Sequence, residues 1–261
     1  MLDSGLGGLT VLHALRKLAP GVDVVYFADT ANVPYGDRGL DEVALLGARI
    51  VERLATYDPA AIIIASGTTC AAFDTCGWPA SSAPLVGVIE AGAASALRAS
   101  RRGAIGVIAT RGTIDSGSFE RALHALAPAT RVTNVAAPAL VPLVEAGESG
   151  SERAHAAVDA ACAPFRTAQC DAVILGCTHF PHLRAWFAAA LGPDVALVDP
   201  ADECAAGCLR ILERSAPSEA RGQAQFICEV SGDEREFARH ARMLGAPPMT
   251  SCTHVSLVPA L

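Results

Sequence analysis

No run of 18 apolar residues occurs in this 261-residue chain, so a membrane-spanning helix is not expected. The opening Met1-Leu2-Asp3 lacks a basic segment followed by an apolar one, so neither is a secretory leader. The chain is read as cytoplasmic. Charged residues are scarce at 18% and aromatics at 5%, against 51% hydrophobic residues. That balance excludes disorder and describes an alanine-rich globular protein. Positive charge is also short: 20 Lys and Arg against 27 Asp and Glu give a formal net charge of −7. Nucleic acid and anionic membrane need a basic face, so neither is expected as a partner. Nine cysteines are present without one Cys-x-x-Cys pair. Their odd number and scattered spacing disfavour a disulfide scaffold. Cys204 and Cys208 read as buried positions on one helix face, and His179 and His182 have no carboxylate beside them in the sequence, so no metal is expected.

The chain is organised around Ala172-Val173-Ile174-Leu175-Gly176-Cys177-Thr178-His179-Phe180-Pro181. An apolar run that stops at glycine reads as a buried parallel strand, and ligands of open α/β sheets gather beyond the carboxyl ends of such strands. Cys177 therefore stands where chemistry occurs, with a hydroxyl and an imidazole as its next neighbours. Ala61-Ile62-Ile63-Ile64-Ala65-Ser66-Gly67-Thr68-Thr69 repeats the pattern, with Ser66 in the place of the cysteine. Two such copies imply two related α/β halves facing each other.

Around this pair, strands and helices alternate with short turns, which is the pattern of an α/β protein with mainly parallel sheets. Strands are expected at 22–27, 60–65, 85–89, 104–109, 132–136, 172–175 and 195–198, with a last one at 225–230 and a linker at 216–223. The glycine-rich turn Asp3-Ser4-Gly5-Leu6-Gly7-Gly8 leads into a helix. Its free N–H groups would favour an anion. Asp3 reads either as an N-cap or as a carboxylate at the mouth of a site. Thr110 and Thr113 read equally as an anion-binding pair or as a plain helix start. A cofactor-free proton transfer at an amino-acid α-carbon needs an acid on one face and a base on the other, and a thiol of pKa about 8.5 is easily tuned for either task.

Several ordered motifs together resemble the glutamate racemases of the aspartate/glutamate racemase superfamily: Asp3 to Val11, Asp29 with Pro34-Tyr35-Gly36, Gly87-Val88-Ile89-Glu90, Gly106-Val107-Ile108 with Thr110 and Thr113, Val141 to Gly147, Gly176 to Pro181, and Ser231-Gly232-Asp233. The resemblance implies two α/β domains, 1–90 with 199–261 and 91–198, with the site in the cleft between them. It implies interconversion of L- and D-glutamate without a cofactor, in supply of peptidoglycan synthesis. Glutamate is then the expected partner, and a homodimer is left open. Cys177, Ser66, Asp3 and His179 take the catalytic positions. Asp3, Ser4, Pro34, Tyr35, Gly36, Gly67, Thr68, Thr110, Thr113, Thr178 and His179 take the substrate-binding ones, with Glu145 in support. The chain departs from the family at the first strand end, where Ala-Cys-Asn-Thr is expected and Ala65-Ser66-Gly67-Thr68 stands. Cys70, one helical turn on, is a substitute thiol to consider. Restoring Ser66→Cys with Gly67→Asn is expected to raise turnover. A one-thiol enzyme that protonates a carbanion from one side, and an inactive glutamate binder, are the alternatives. Only two residues precede Asp3, so most of the family's first strand is expected to be missing.

Overall fold

The computed structural model describes residues 1–214 and 224–257. The linker expected at 216–223 lies outside the described residues. Ten strands form two sheets. The first runs in the order β10-β9-β2-β1-β3-β4, with β1 at Leu2–Asp3, β2 at Val24–Ala28, β3 at Ile62–Ile64, β4 at Leu85–Gly87, β9 at Phe226–Val230 and β10 at Ser251–His254. The second runs β6-β5-β7-β8, with β5 at Ala104–Ala109, β6 at Arg131–Ala136, β7 at Ala172–Leu175 and β8 at Ala196–Val198. Every strand pairing is parallel, so helices must carry the chain back between strands and cover the sheet faces.

Short as it is, β1 sits at the centre of its sheet: Leu2 pairs with Phe27 on one side and Ile64 on the other. This register brings Asp3, Asp29 and Ser66 to neighbouring carboxyl ends. In the second sheet β5 and β7 are paired in the same way, which brings Thr110 beside Gly176 and Cys177. The pleat explains why β7 is apolar throughout. Ala172 and Ile174 pack into a core that continues to Leu2, Phe27 and Ile64 of the first sheet, while Val173 and Leu175 pack on the opposite side with Phe165, Phe180 and Phe187. Each such fully buried aliphatic side chain contributes about 1.5–3 kcal/mol. Amphipathic spacing does the same for Leu40–Ala55, whose Val43, Gly47, Ile50, Val51 and Leu54 face inward.

Two expectations change. The strand expected at 85–89 stops at Gly87, and Val88 and Ile89 open the helix Val88–Ala99. They are buried there by tertiary packing, which an apolar run does not distinguish from a strand. The strand at Phe226–Val230 is not the last, because Ser251–His254 pairs beyond it as the sheet edge. Its Ser-Cys-Thr-His sequence has no apolar face to announce it. Among the described residues no helix is long and apolar enough to cross a membrane.

Asp171, immediately before β7, holds this arrangement at its base. Its buried carboxylate accepts from Ser100 Oγ at 2.6 Å and from the N–H groups of Arg101 and Arg102 at 2.7 Å each. Burial alone would raise its pKa, but these donors, with the Arg102 charge, outweigh burial and hold it below its ordinary value. A depressed carboxylate contributes stability above its unfolded pKa and loses it as pH falls. Asp171→Ala should therefore lower the unfolding free energy by about 1–3 kcal/mol at neutral pH in urea denaturation. That difference should narrow as the pH falls below 3.8.

Candidate active site

Between the carboxyl ends of the two sheets lies a cavity of about 250 Å³ walled by both halves. From the second sheet, Cys177 is 7% exposed and its sulfur lies 3.7 Å from His179 Nδ1. The other ring nitrogen, Nε2, lies 3.3 Å from Glu145 Oε1. That approach is a charge contact without hydrogen-bond alignment, for Nε2 is left without a hydrogen-bonding partner. Burial draws the His179 pKa down. The Cys177 sulfur and Glu145, then Asp3, outweigh it and hold the imidazole up at about 10. A carboxylate thus does stand beside His179, supplied by a helix 34 residues away in sequence. Among the described residues no three His, Cys, Asp or Glu side chains gather as a metal site.

Asp3 is 1% exposed and sits behind the wall, not at a mouth. Burial pushes its carboxyl up, opposed by His179, by the N–H groups of Gly5 and Gly8, and by Thr178. It does not cap the helix Leu9–Leu18, whose N-cap is Gly8. Instead it accepts from Gly5 N at 2.9 Å and from Thr178 Oγ1 at 3.5 Å, so the anion held by the glycine-rich turn is its own aspartate. Gly7 is required by space. A Cβ there would stand 2.0 Å from Thr178 Oγ1 and 3.1 Å from His179 Nδ1.

The first sheet supplies the opposite wall. Ser66 lies two residues beyond β3 and caps the helix Gly67–Cys76, its Oγ accepting from Thr69 N at 3.2 Å, which leaves the hydroxyl proton to donate. Gly67 allows the halves to meet: a Cβ on it would lie 2.7 Å from the Gly176 carbonyl oxygen. Thr68, Thr110 and Thr113 form a triangle of hydroxyls across the two halves, with Oγ1 separations of 3.0, 2.9 and 3.4 Å. Thr68 and Thr110 line the cavity, and Thr113 supports them from behind. Thr110 also caps the helix Arg111–Asp115, which is the helix-start reading. Ser4, Pro34, Tyr35, Gly36 and Thr178 complete the wall.

Cys70 is not a substitute thiol. It is fully buried, bonded to Ile64 O at 3.4 Å, and faces Gly87 in the core. Burial pushes its pKa well above the ordinary range. The sequence reading missed Asp37, Pro138, Val141 and Pro142, which also line the cavity. Val141 stands one turn before Glu145 on the helix Leu140–Glu145, so helical period could have found it. The wall carries no lysine or arginine. An anionic substrate would meet hydroxyls and the His179 imidazolium, together with the carboxylates of Asp37 and Glu145.

The assembly is a thiol beside a protonated imidazole on one wall and the Ser66 hydroxyl, with those of Ser4 and Thr68, on the other, which suits proton transfer at carbon. Because the folded pKa of His179 is raised above 6.5, its ionisation contributes stability below 6.5 that is lost as pH rises through about 10. Ring ¹⁵N shifts of the labelled histidine should accordingly remain those of an imidazolium above pH 6.5, and titration at 6.5 would contradict the geometry.

The chain is similar to known proteins over most of its length. The model of the Asp/Glu/hydantoin racemase family matches residues 9–208. A glutamate racemase of Desulforudis audaxviator is 45% identical over 201 residues, covering 77% of this chain and 74% of that one. Glutamate racemase 2 of Caldanaerobacter subterraneus subsp. tengcongensis is 37% identical over 246 residues, covering 94% and 91%. Among solved structures, a glutamate racemase isoform of Bacillus anthracis superposes with a TM-score of 0.92 at 32% identity, covering 98% of this chain and 96% of the other. With the family model matching residues 9–208 and near full-length similarity to glutamate racemases in sequence and fold, the chain belongs to the Asp/Glu/hydantoin racemase family.

Proposed function

We propose that this cavity interconverts L- and D-glutamate without a cofactor, in the cytoplasm, and so supplies D-glutamate to peptidoglycan synthesis. The observation that carries the reading is the buried Cys177–His179 pair, 3.7 Å apart, facing a wall built from the other sheet's strand end. A glutamate racemase of Francisella tularensis, 28% identical with a TM-score of 0.90, was solved with D-glutamate, which supports glutamate as the ligand. The reading takes 1–90 with 199–261 as one domain and 91–198 as the other. Every group it uses comes from one chain, so it holds for a monomer or a homodimer.

In the proposed reaction the Cys177 sulfur takes the α-proton from one face of the bound amino acid. The C–H electron pair passes into the α-carboxylate, where hydroxyl and N–H donors with the His179 charge hold it. Reprotonation from the opposite face gives the other enantiomer, and Ser66 is the group in place to donate. Here the two faces differ. A hydroxyl is some seven or more pKa units less acidic than a thiol of about 8.5, and each unit is worth about 1.4 kcal/mol. Ser66 therefore passes a proton slowly and removes one more slowly still. The enantiomer whose α-hydrogen faces Cys177 should exchange faster. The same observation favours a second reading, in which the enzyme protonates a carbanion from the Cys177 side alone.

Incubation with each glutamate enantiomer in heavy water, read by NMR and chiral chromatography, separates these readings. Exchange with inversion supports racemisation; exchange of one enantiomer with retention supports one-sided chemistry. No exchange from either would remove both. Cys177→Ala should abolish exchange, and Ser66→Cys alone should raise inversion by roughly 10²–10⁴-fold, the range of a well-placed acid or base. Adding Gly67→Asn should lower that gain, because its Cβ would press on the Gly176 carbonyl at 2.7 Å and displace the loop carrying Cys177. The rise in turnover expected of the two changes together is thus ascribed to Ser66→Cys.

A further inference from the structure

The motif around Asp29 has so far been given no task. Asp29 follows β2, is buried at 2% exposure, and does not line the cavity. Its Oδ2 accepts from Tyr35 Oη at 2.5 Å and its Oδ1 from Ser231 Oγ at 2.6 Å. Asn32 Nδ2 donates to both oxygens at 2.9 and 3.1 Å. All these donors are neutral. A buried carboxylate without a cation is costly unless its bonds are complete. The arrangement persists only while all three side chains stay in register.

What those bonds hold is the cavity wall. Residues 29–39 contain only two short 3₁₀ turns, Thr30–Asn32 and Tyr35–Asp37. Their backbone bonds, Asn32 N to Asp29 O at 3.0 Å and Arg38 N to Tyr35 O at 3.2 Å, shape each turn without fixing its depth in the cleft. Arg38 Nε adds a bond to Asn32 O at 2.6 Å, again within the segment. The link from Tyr35 to the sheet is its hydroxyl on Asp29. Asp29 is in turn tied to the end of β9 by Ser231, whose Oγ also accepts from Ala31 N at 2.9 Å and whose N donates to Ala28 O at 3.1 Å. On the far side Gly36 rests on Thr110, where a Cβ would come within 2.9 Å of the threonine Cβ. A shift of this wall would therefore move a hydroxyl of the threonine triangle as well.

We propose that Asp29 is a positioning residue for the reaction, setting through Tyr35 and Ser231 the depth at which the Pro34–Tyr35–Gly36 wall meets the substrate. The inference rests on the glutamate reading given above. It assigns to Asp29 the binding of substrate and not the proton transfer, since neither Cys177 nor His179 is among its partners. A misplacement of 1 Å can cost on the order of 100-fold, so a partial loosening should be visible.

The test is steady-state kinetics and heavy-water exchange on the full chain with both enantiomers, comparing wild type, Asp29→Asn, Ser231→Ala and Asp29→Asn with Tyr35→Phe. Asp29→Asn should raise KM about 10-fold while kcat changes by less than about threefold, the signature of lost binding rather than lost chemistry. Ser231→Ala should raise KM less. Tyr35→Phe should add little to Asp29→Asn, because an amide at 29 keeps one acceptor oxygen for three donating side chains and so already weakens the Tyr35 link. Ser231→Ala removes one bond to a carboxylate that keeps the others, together with the bond from Ala31 N, so it tests the inference even if Asp29→Asn fails to fold. An active wild type whose KM is unmoved by these variants, or variants that lower only the melting temperature, would overturn this inference alone. A wild type inert toward both enantiomers and without glutamate binding by calorimetry would overturn the glutamate reading and this inference with it.

Discussion

A protonated imidazole shut away from water must be surrounded by groups that tolerate its charge, and His179 sets this condition for the whole cleft. Its charge is met by a sulfur, by Glu145 and by Asp3, three groups on three different segments. Cys177 is a neighbour in the sequence, but only folding brings Glu145 and Asp3 within reach, and each is useful only if the others are placed. Burial of any one alone would be unfavourable. Together they make a buried site in which a thiol can exchange a proton, and the glycine at position 7 is the spacing that lets the first half close on the second.

The two walls are not equivalent. On the Cys177 side Glu145, His179 and Cys177 stand in contact, and the neighbouring Thr178 donates to Asp3. On the Ser66 side one hydroxyl caps a helix, with no acid or base bonded to it. The fold is two-sided and the chemistry is weighted to one side. Gly67 belongs to the same difference: without a side chain there, the first half approaches the Gly176 carbonyl more closely than any larger residue permits. Ser66 and Gly67 thus change the site together, one in its chemistry and the other in its spacing.

The parallel topology explains why all of this lies in one place. Strands of both sheets end at the same cleft, so residues at or just beyond a strand end are delivered there: Asp3 at the end of β1 and Ser4 after it, Ser66 two residues beyond β3, Thr110 after β5, Cys177 two residues beyond β7. What lies further from the strand ends depends on how its loop is fastened. The segment carrying Tyr35 and Gly36 has little secondary structure, and side-chain bonds to Asp29 take the role that a ladder plays elsewhere.

Much of this was legible in the residues. Apolar runs ending in glycine or serine mark strand ends, because a buried parallel strand has no polar face and its ligand side begins where the run stops. That is why Ser66 and Cys177 stood out, and why the α/β class with two halves followed from the pattern. The serine in place of a thiol is likewise a fact of sequence alone. The sequence could not reveal that Cys70 faces the core, since one helical turn fixes distance along an axis and not direction toward a cleft. Nor could it reveal that Glu145 meets His179, that Asp3 lies behind the wall, that Ser251–His254 adds an edge strand, or that a glycine at 67 touches a carbonyl of the other half. These are contacts between segments far apart in the chain. Local pattern determines where a strand ends and which side chain stands there; only the packing of the two halves decides which of those side chains meet, because that depends on backbone approach measured in tenths of an ångström.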